Sequence, residues 1–249
     1  MVLPNESSLQ KLQFYVTTPY VCGYLPEQRA QSLIASPQHL ITPQIYSNLI
    51  QQGFRRSGNF AYRPHCQHCQ ACISVRIILD EFKPNRSQKR AFKQHAELQA
   101  NTLPLAFDAT HYDLYQHYQT AKHTPPEPSQ ANDRLDEMEQ YRQFLCQSNV
   151  ESLMVEFRDQ VNALKMVSVV DVVQDGLSAV YTFYDTSNPK ASLGTYSILW
   201  LIEKAKNMGL PYLYLGYWIA ASQKMAYKQS FMPQQRLIGD KWVQQFDKL

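Results

Sequence analysis

Residues 152–219 restrict this chain more than any other stretch. Three apolar-rich segments come in quick succession: SLMVEFRD from Ser152, ALKMVSVVDVV from Ala163 and LSAVYTFYD from Leu177. Asp175-Gly176 stands between the last two, and that dipeptide is a strong signal for a tight hairpin. The middle segment is nearly continuous in apolar residues, which predicts a central strand covered on both faces. A helical stretch over 193–208 follows and ends at Gly209, a residue suited to a left-handed helix cap. The string PYLYLGYWI over 211–219 then reads as a further strand, and 222–229 as a helix. An antiparallel meander, a helix, a strand and a helix together predict an α+β fold.

The remainder is less regular. Residues 1–42 read as short strands with a turn at CGYLP, residues 22–26. Thr42-Pro43 opens a helix with a cap residue followed by proline, and Ile45, Leu49 and Ile50 share its apolar face up to Gly53. A hairpin is expected over 54–63 around Ser57-Gly58-Asn59, and a strand over 73–79 with Val75 and Ile77 on one face and Arg76 on the other. Helices are expected over 85–98, 112–122 and 135–146, strands over 103–107 and near 236–238, and a proline-rich loop over 124–132. Cys146, after Phe144-Leu145, reads as a core thiol. The expected division is a basic, cysteine-containing subdomain over 1–100 and an acyltransferase domain over 101–249. The order of elements in the second part is similar to GNAT-type acyltransferases, where antiparallel strands give way to a splayed pair and the acyl donor enters at the splay.

Charge is distributed unevenly. Residues 1–100 hold 11 Lys/Arg against 5 Asp/Glu, a balance of +6, whereas the rest holds 13 against 16, a balance of −3. Such asymmetry points to an anionic partner for the first part. Arg86, Lys89, Arg90 and Lys93 follow the spacing of a single helix face. Four adjacent like charges repel unless something rewards them, and a phosphate backbone does so; a solvated helix face is the plain alternative. No stretch approaches the length of apolar chain that crosses a membrane, and the N-terminus has no charged start followed by an apolar run. Five cysteines, three of them clustered, suit reduced thiols in a cytoplasm better than a disulfide framework.

The clustered cysteines lie in GFRRSGNFAYRPHCQHCQACISVRI, residues 53–77. Cys66, Cys69 and Cys72 form C-x2-C-x2-C, three soft ligands within reach of one ion, with Cys22, His65 or His68 as a fourth. Zinc in a closed tetrahedral site or an iron–sulfur cluster would accept such a set; three reduced thiols without metal are the alternative. Arg55 and Arg56 open the stretch and Arg76 closes it. Further on, Ser192, Gly194 and Thr195 open the helix over 193–208, and a helix start among small residues offers free N–H groups to a phosphate. An ordinary helix cap is the competing reading.

These strings, with FKPNRSQKRAFKQH, DVVQDGLSAVYTFYD, SLGTYSILWLIEKAKNMGLPYLYLGYWI and KMAYKQSFMPQQRL, resemble the bacterial aspartate/glutamate leucyltransferases, a branch of the arginyltransferase family of the N-degron pathway. The resemblance runs from about Tyr20 to Trp242. It implies a cytoplasmic enzyme, working as a monomer, that moves leucine from leucyl-tRNA to the α-amine of proteins beginning with Asp or Glu and so marks them for degradation. Arginyl transfer to the same acceptors is the nearest alternative. The ester is already activated, so the chemistry needs no cofactor, and positioning can do most of the work. The acidic acceptor needs a cationic pocket, for which Arg55, Arg56 and Arg76 are candidates because a guanidinium holds a carboxylate bidentately. The tRNA would lie on Arg86, Lys89, Arg90 and Lys93 and at Ser192, Gly194 and Thr195. Residues 213–218 and 181–184 could line an apolar leucyl pocket, and Asp185, Tyr184 or Asp171 could take the proton from the amine. Leu25 stands where the eukaryotic branch carries a second N-terminal cysteine, which weakens any metal site transferred from it. Two readings from other classes compete. An acyl-CoA acyltransferase would want a pyrophosphate loop that only 192–194 remotely occupies. A zinc module binding RNA through 53–95 would leave the second part without a task.

Overall fold

The computed structural model describes residues 11–122 and 131–245. The chain opens with short strands β1 (Gln13–Val16), β2 (Tyr20–Val21), β3 (Arg29–Ala30) and β4 (Ser32–Ser36). Helix α1 (Pro43–Gln51) starts as the sequence predicts: the Thr42 hydroxyl accepts from the Ile45 amide and Pro43 occupies the first turn. Strands β5 (Arg55–Ser57) and β6 (Phe60–Pro64) form the expected hairpin, and a small sheet has the order β1-β4-β6-β5. After the cysteines come β7 (Ile73–Ile78), α2 (Arg86–Gln94), β8 (Gln99–Leu103), α3 (Ala109–Lys122) and α4 (Ala131–Leu145). The expected proline-rich loop over 124–132 lies almost wholly outside the described residues. The meander is β9 (Ser152–Arg158), β10 (Leu164–Val173) and β11 (Gly176–Tyr184), followed by α5 (Leu193–Asn207), β12 (Tyr212–Trp218), β13 (Gln234–Ile238) and β14 (Lys241–Gln245).

The large sheet has the order β14-β13-β7-β12-β11-β10-β9-β8. All its neighbours are antiparallel except β11 and β12. This is an α+β architecture with helices against a multistranded sheet. One face packs on α5: Val75 and Ile77 of β7, Leu213 of β12 and Leu201 and Ile202 of α5 share a core. The other face carries α1 and the small sheet, through Tyr46, Leu49, Ile50, Phe54 and Tyr214. The sequence pattern of Val75 and Ile77 inward with Arg76 opposite therefore holds.

Four expectations change. A division at residue 100 would cut through β8, and it would assign β7 to the wrong part, because β7 lies between β13 and β12 in the middle of the large sheet. The strand expected over 103–107 is instead β8, four residues earlier; QANTL is polar because it forms an edge paired to β9 alone, and edge strands carry little apolar pattern. The segment near 222–229 winds as a 3₁₀ helix over Gln223–Ser230 rather than an α-helix. The closing edge strand β14, KWVQQ, was hidden by the same polarity.

Candidate active site

The parallel pair β11 and β12 holds its register only from Gly176 opposite Tyr212 to Ser178 opposite Tyr214. Beyond that point β12 bulges between Tyr214 and Gly216, with Gly216 at φ +77°, and the strands part. Arg55 fills the opening. Its Nη1 donates to the Ser178 hydroxyl at 3.2 Å and its Nη2 to the Ala179 carbonyl at 2.5 Å, both on β11. On the β12 side its Cζ would lie 3.0 Å from a Cβ at residue 216. Only glycine leaves room there, so the bulge and the arginine are one local solution to the splay.

Tyrosines surround this arginine. Burial pushes the Tyr24 hydroxyl up to about 12, with Tyr62 and Cys72 adding and Arg55 opposing. Burial likewise raises Tyr62 and Tyr217, again against Arg55. Tyr181 is raised to about 12 by burial, with Tyr115 and Tyr24 among its neighbours. These phenols remain neutral hydrogen-bond donors at ordinary pH. Tyr24 is 44% exposed and Tyr227 50% exposed, so the tyrosines around Arg55 reach solvent at these two residues. From Tyr227 the aromatic lining continues to Tyr184 and Tyr118, whose rings meet edge to face at 5.0 Å.

The floor holds a residue that sequence reasoning missed. Lys228 is 5% exposed; its Nζ donates to the Tyr217 carbonyl and to the Met225 sulfur at 3.5 Å. Desolvation, reinforced by Arg55, lowers it from 10.5 to about 7. In sequence it is one lysine of the KMAYKQSFM string and reads as surface; only its position between Tyr227 and Phe231 hints at enclosure.

The other expected site residues scatter. Arg56, 5% exposed, donates from Nη2 to Asp171 at 2.7 Å and from Nε to both carboxylate oxygens at 3.0 Å, and from Nη1 to the Gly58 and Gln147 carbonyls. Asp171, fully buried, also accepts from the Ser152 hydroxyl at 2.6 Å. That pair is saturated and closed to a ligand. Arg76 stacks 3.6 Å from the Tyr212 ring and 4.4 Å from Trp242, and donates to Gln235, Tyr214 and Asp175. It belongs to the β7–β12–β13 surface, not to the Arg55 opening.

Tyr184, Asp185 and Ser192 do come together. A cavity of about 210 Å³ at the start of α5 is lined by Lys122, Tyr184, Asp185, Asn188, Ser192 and Leu193. Ser192 caps α5 with left-handed backbone and no side-chain cap; its carbonyl accepts from the Thr195 and Tyr196 amides, which leaves those of Leu193 and Gly194 at the opening of this fifteen-residue helix. The Tyr184 ring would meet a Cβ on Gly194 at 3.4 Å. Burial raises the Tyr184 phenol, against a hydrogen bond with Tyr118. Burial pushes Asp185 up, but the Ser187 hydroxyl and amide and Lys165 at 3.3 Å outweigh it and hold the carboxyl below its usual range. Asp185 is thus a carboxylate and a weak base at neutral pH.

Arg86, Lys89, Arg90 and Lys93 are all exposed along α2, and none of them forms an ion pair among the described residues. A capping box of Asn85 and Gln88 fixes the helix start, and Gln88 also donates to the Ser230 carbonyl. The far end docks at the start of α5: Phe92 and His95 pack on Tyr196, and His95 bonds the Ala191 carbonyl. The C-terminal end of α2 therefore abuts the start of α5.

All five cysteines are free. Burial, then Cys66, Cys22 and Cys69, push the Cys72 thiol up to about 12, so the four thiols share one neighbourhood. They are not arranged as ligands, however: among the described residues no group of three or more His, Cys, Asp or Glu could hold a metal ion. The expected metal set of Cys22, Cys66, Cys69 and Cys72 is not grouped in that way here, and the reaction below is derived without a metal.

The chain was compared with known proteins. A family profile described as arginine-tRNA-protein transferase, N terminus, matches residues 20–90, and one described as arginine-tRNA-protein transferase, C terminus, matches 110–238. The chain is 59% identical to the aspartate/glutamate leucyltransferase of Methylobacillus flagellatus, over 97% of its own length and 95% of that protein's. Proteins of the same name from Thiobacillus denitrificans and Polynucleobacter asymbioticus are 51% and 48% identical, each over 96% of this chain. Among solved structures, L-PGS from Bacillus licheniformis overlays 60% of the chain and 46% of its own at a TM-score of 0.44 and 10% identity, too distant to carry an argument. The matched profiles take in both the cysteine stretch with its small sheet and the large sheet with its tyrosine cleft, and the chain belongs to the arginine-tRNA-protein transferase family.

Proposed function

We propose that this aminoacyl-tRNA–protein transferase moves leucine from leucyl-tRNA to the α-amine of proteins that begin with Asp or Glu, as a monomer in the cytoplasm, and so commits them to N-degron degradation. The observation that carries the reading is the Arg55 opening: a half-buried guanidinium that forms no ion pair among the described residues, set among tyrosines at the parting of β11 and β12. Near-full-length identity to proteins named aspartate/glutamate leucyltransferase supports the donor and the acceptors.

The chemistry is an aminolysis. The neutral acceptor amine attacks the ester carbonyl of the leucyl group, the C–N bond forms, the bond to the ribose oxygen breaks, and the amine's proton leaves as that oxygen gains one. Holding amine and ester together supplies much of the acceleration. The tRNA backbone follows the exposed face of Arg86, Lys89, Arg90 and Lys93, and its charged end turns in at Ser192, Gly194 and Thr195 beside Tyr184. The acceptor enters from the Tyr24 and Tyr227 side with its carboxylate on Arg55. Neutral phenols donate to the ester carbonyl as charge develops there. The parting of a parallel pair in an otherwise antiparallel sheet supports a GNAT-like reading of the domain.

The test is transfer of labelled leucine from charged leucyl-tRNA to peptides beginning with Asp, Glu or Lys. Leucine on the two acidic peptides is expected; labelling of the Lys peptide alone would overturn the reading. The family profiles name arginine, so arginyl-tRNA is run in parallel, and faster arginine transfer would reassign the donor.

A further inference from the structure

Arg55 and Lys228 approach one another with nothing negative between them. The Arg55 guanidinium lies against Gly216, and the Lys228 ammonium sits on the carbonyl of the next residue, Tyr217. Among the described residues neither forms an ion pair. Arg55 engages a hydroxyl and a carbonyl and leaves further donors open; Lys228 has one carbonyl and one thioether for its three N–H bonds. A thioether is a weak acceptor on a flexible side chain, and an incoming oxygen anion can displace it. A buried charge without a partner destabilises a fold. If the task were only to tie down the Tyr217 carbonyl, a neutral donor would serve without that penalty. The groups around the two cations are phenols and a thiol, namely Tyr24, Tyr62, Tyr217, Tyr227 and Cys72, none of them an anion at neutral pH.

We propose that Lys228 is a second specificity-determining residue, which with Arg55 clamps the first side-chain carboxylate of an acidic acceptor. This rests on the transfer reaction proposed above. The clamp explains why the acceptor must be acidic: a neutral side chain would leave the half-buried Arg55 and the buried Lys228 without a counter-charge, so discrimination comes from the site's own unmet charge.

Kinetics with four acceptor peptides, beginning with Asp, Asn, Glu and Gln, test it with the full-length enzyme and leucyl-tRNA. The wild type is expected to prefer each acid over its amide. Lys228→Met should lower the acid-to-amide ratio of kcat/KM by about 10²-fold, because removing one partner of an enclosed charge pair has an effect of that order. Lys228→Arg should retain most of the preference. An unmoved acid-to-amide ratio in Lys228→Met, or an equal loss on all four peptides, overturns the clamp while leaving the reaction standing. Failure of the wild type to transfer leucine to any peptide overturns the reaction itself. Lys228→Gln, which keeps a donor for Tyr217, serves if the Met variant does not fold. On the wild type, a peptide capped with a succinyl group carries the Asp carboxylate without an α-amine. It should compete with the Asp acceptor while the succinamoyl-capped peptide does not; equal inhibition by the two would also overturn the clamp.

Discussion

Arg55 and Arg56 are consecutive residues of one three-residue strand, and they end in opposite conditions. Alternation along β5 sends Arg56 into the core, where Asp171, Ser152 and two carbonyls satisfy it, and sends Arg55 to the opening between β11 and β12, where it meets a hydroxyl, a carbonyl and another cation. Arg56 is finished as folded; Arg55 is not. The pairing of like residues with unlike partners separates framework from function better than residue type does, and it separates Arg76 as well, which is spent on Tyr212, Trp242, Tyr214 and Asp175.

The contrast can be pressed from its strongest side down. Asp171→Asn leaves Arg56 charged and buried without a counter-ion, and chemical denaturation should show a loss of about 3 kcal/mol. A loss below about 1 kcal/mol would mean that the closed pair contributes nothing net. Arg55→Met should do the reverse: a fall of about 10²-fold in kcat/KM for Asp-starting peptides, with unfolding free energy changed by no more than about 1 kcal/mol. A large stability loss there would erase the distinction. The open side should also show in the pH dependence of stability. Because the folded protein holds Lys228 near 7 against 10.5 unfolded, the unfolded chain binds more protons between those values. Wild-type stability should therefore climb relative to Lys228→Met from about pH 7 towards 10.5, with the full penalty present below 7. Parallel curves for the two proteins would refute this. The smallest effect on folding is expected on α2, where Lys89→Glu with Arg90→Glu should change stability by about 0.5 kcal/mol or less. The same double variant should weaken tRNA binding and reduce its log–log salt slope by about 2; an unchanged slope would remove that face from the tRNA path.

Much of the scaffold was legible because its signals are local. Thr42-Pro43, Asp175-Gly176 and the apolar run of β10 each fix their element through a turn, a cap or a period. The basic face of α2 was legible for the same reason, since helical spacing alone places its four cations. The site was legible only in part. The sequence draws Arg55 and Arg56 as equals, and nothing short of the strand's orientation against β10 and β11 tells which one turns to the β11–β12 opening. Asp171 reads as a strand acid near a site until Arg56 is seen across from it. Lys228 was invisible because a lysine's burial is a tertiary fact. The edge strands β8 and β14 were missed or misplaced because half their hydrogen bonds face solvent and polar residues suit them.

The position of β7 has a consequence for how the protein is made. This strand leaves the ribosome early, yet the partners that flank it, β12 and β13, are synthesised near the end of the described chain, with Ile73 destined to lie opposite Trp218 and Val75 opposite Arg236. Until they emerge, ISVRII is an unpaired apolar strand on a nascent polypeptide, the kind of segment that seeds aggregation. Arg76 in its middle, and the cations of α2 shortly after it, place charge where gatekeeper residues stand beside apolar strands. The face proposed above as a tRNA surface thus also stands beside the strand that waits longest for its partners.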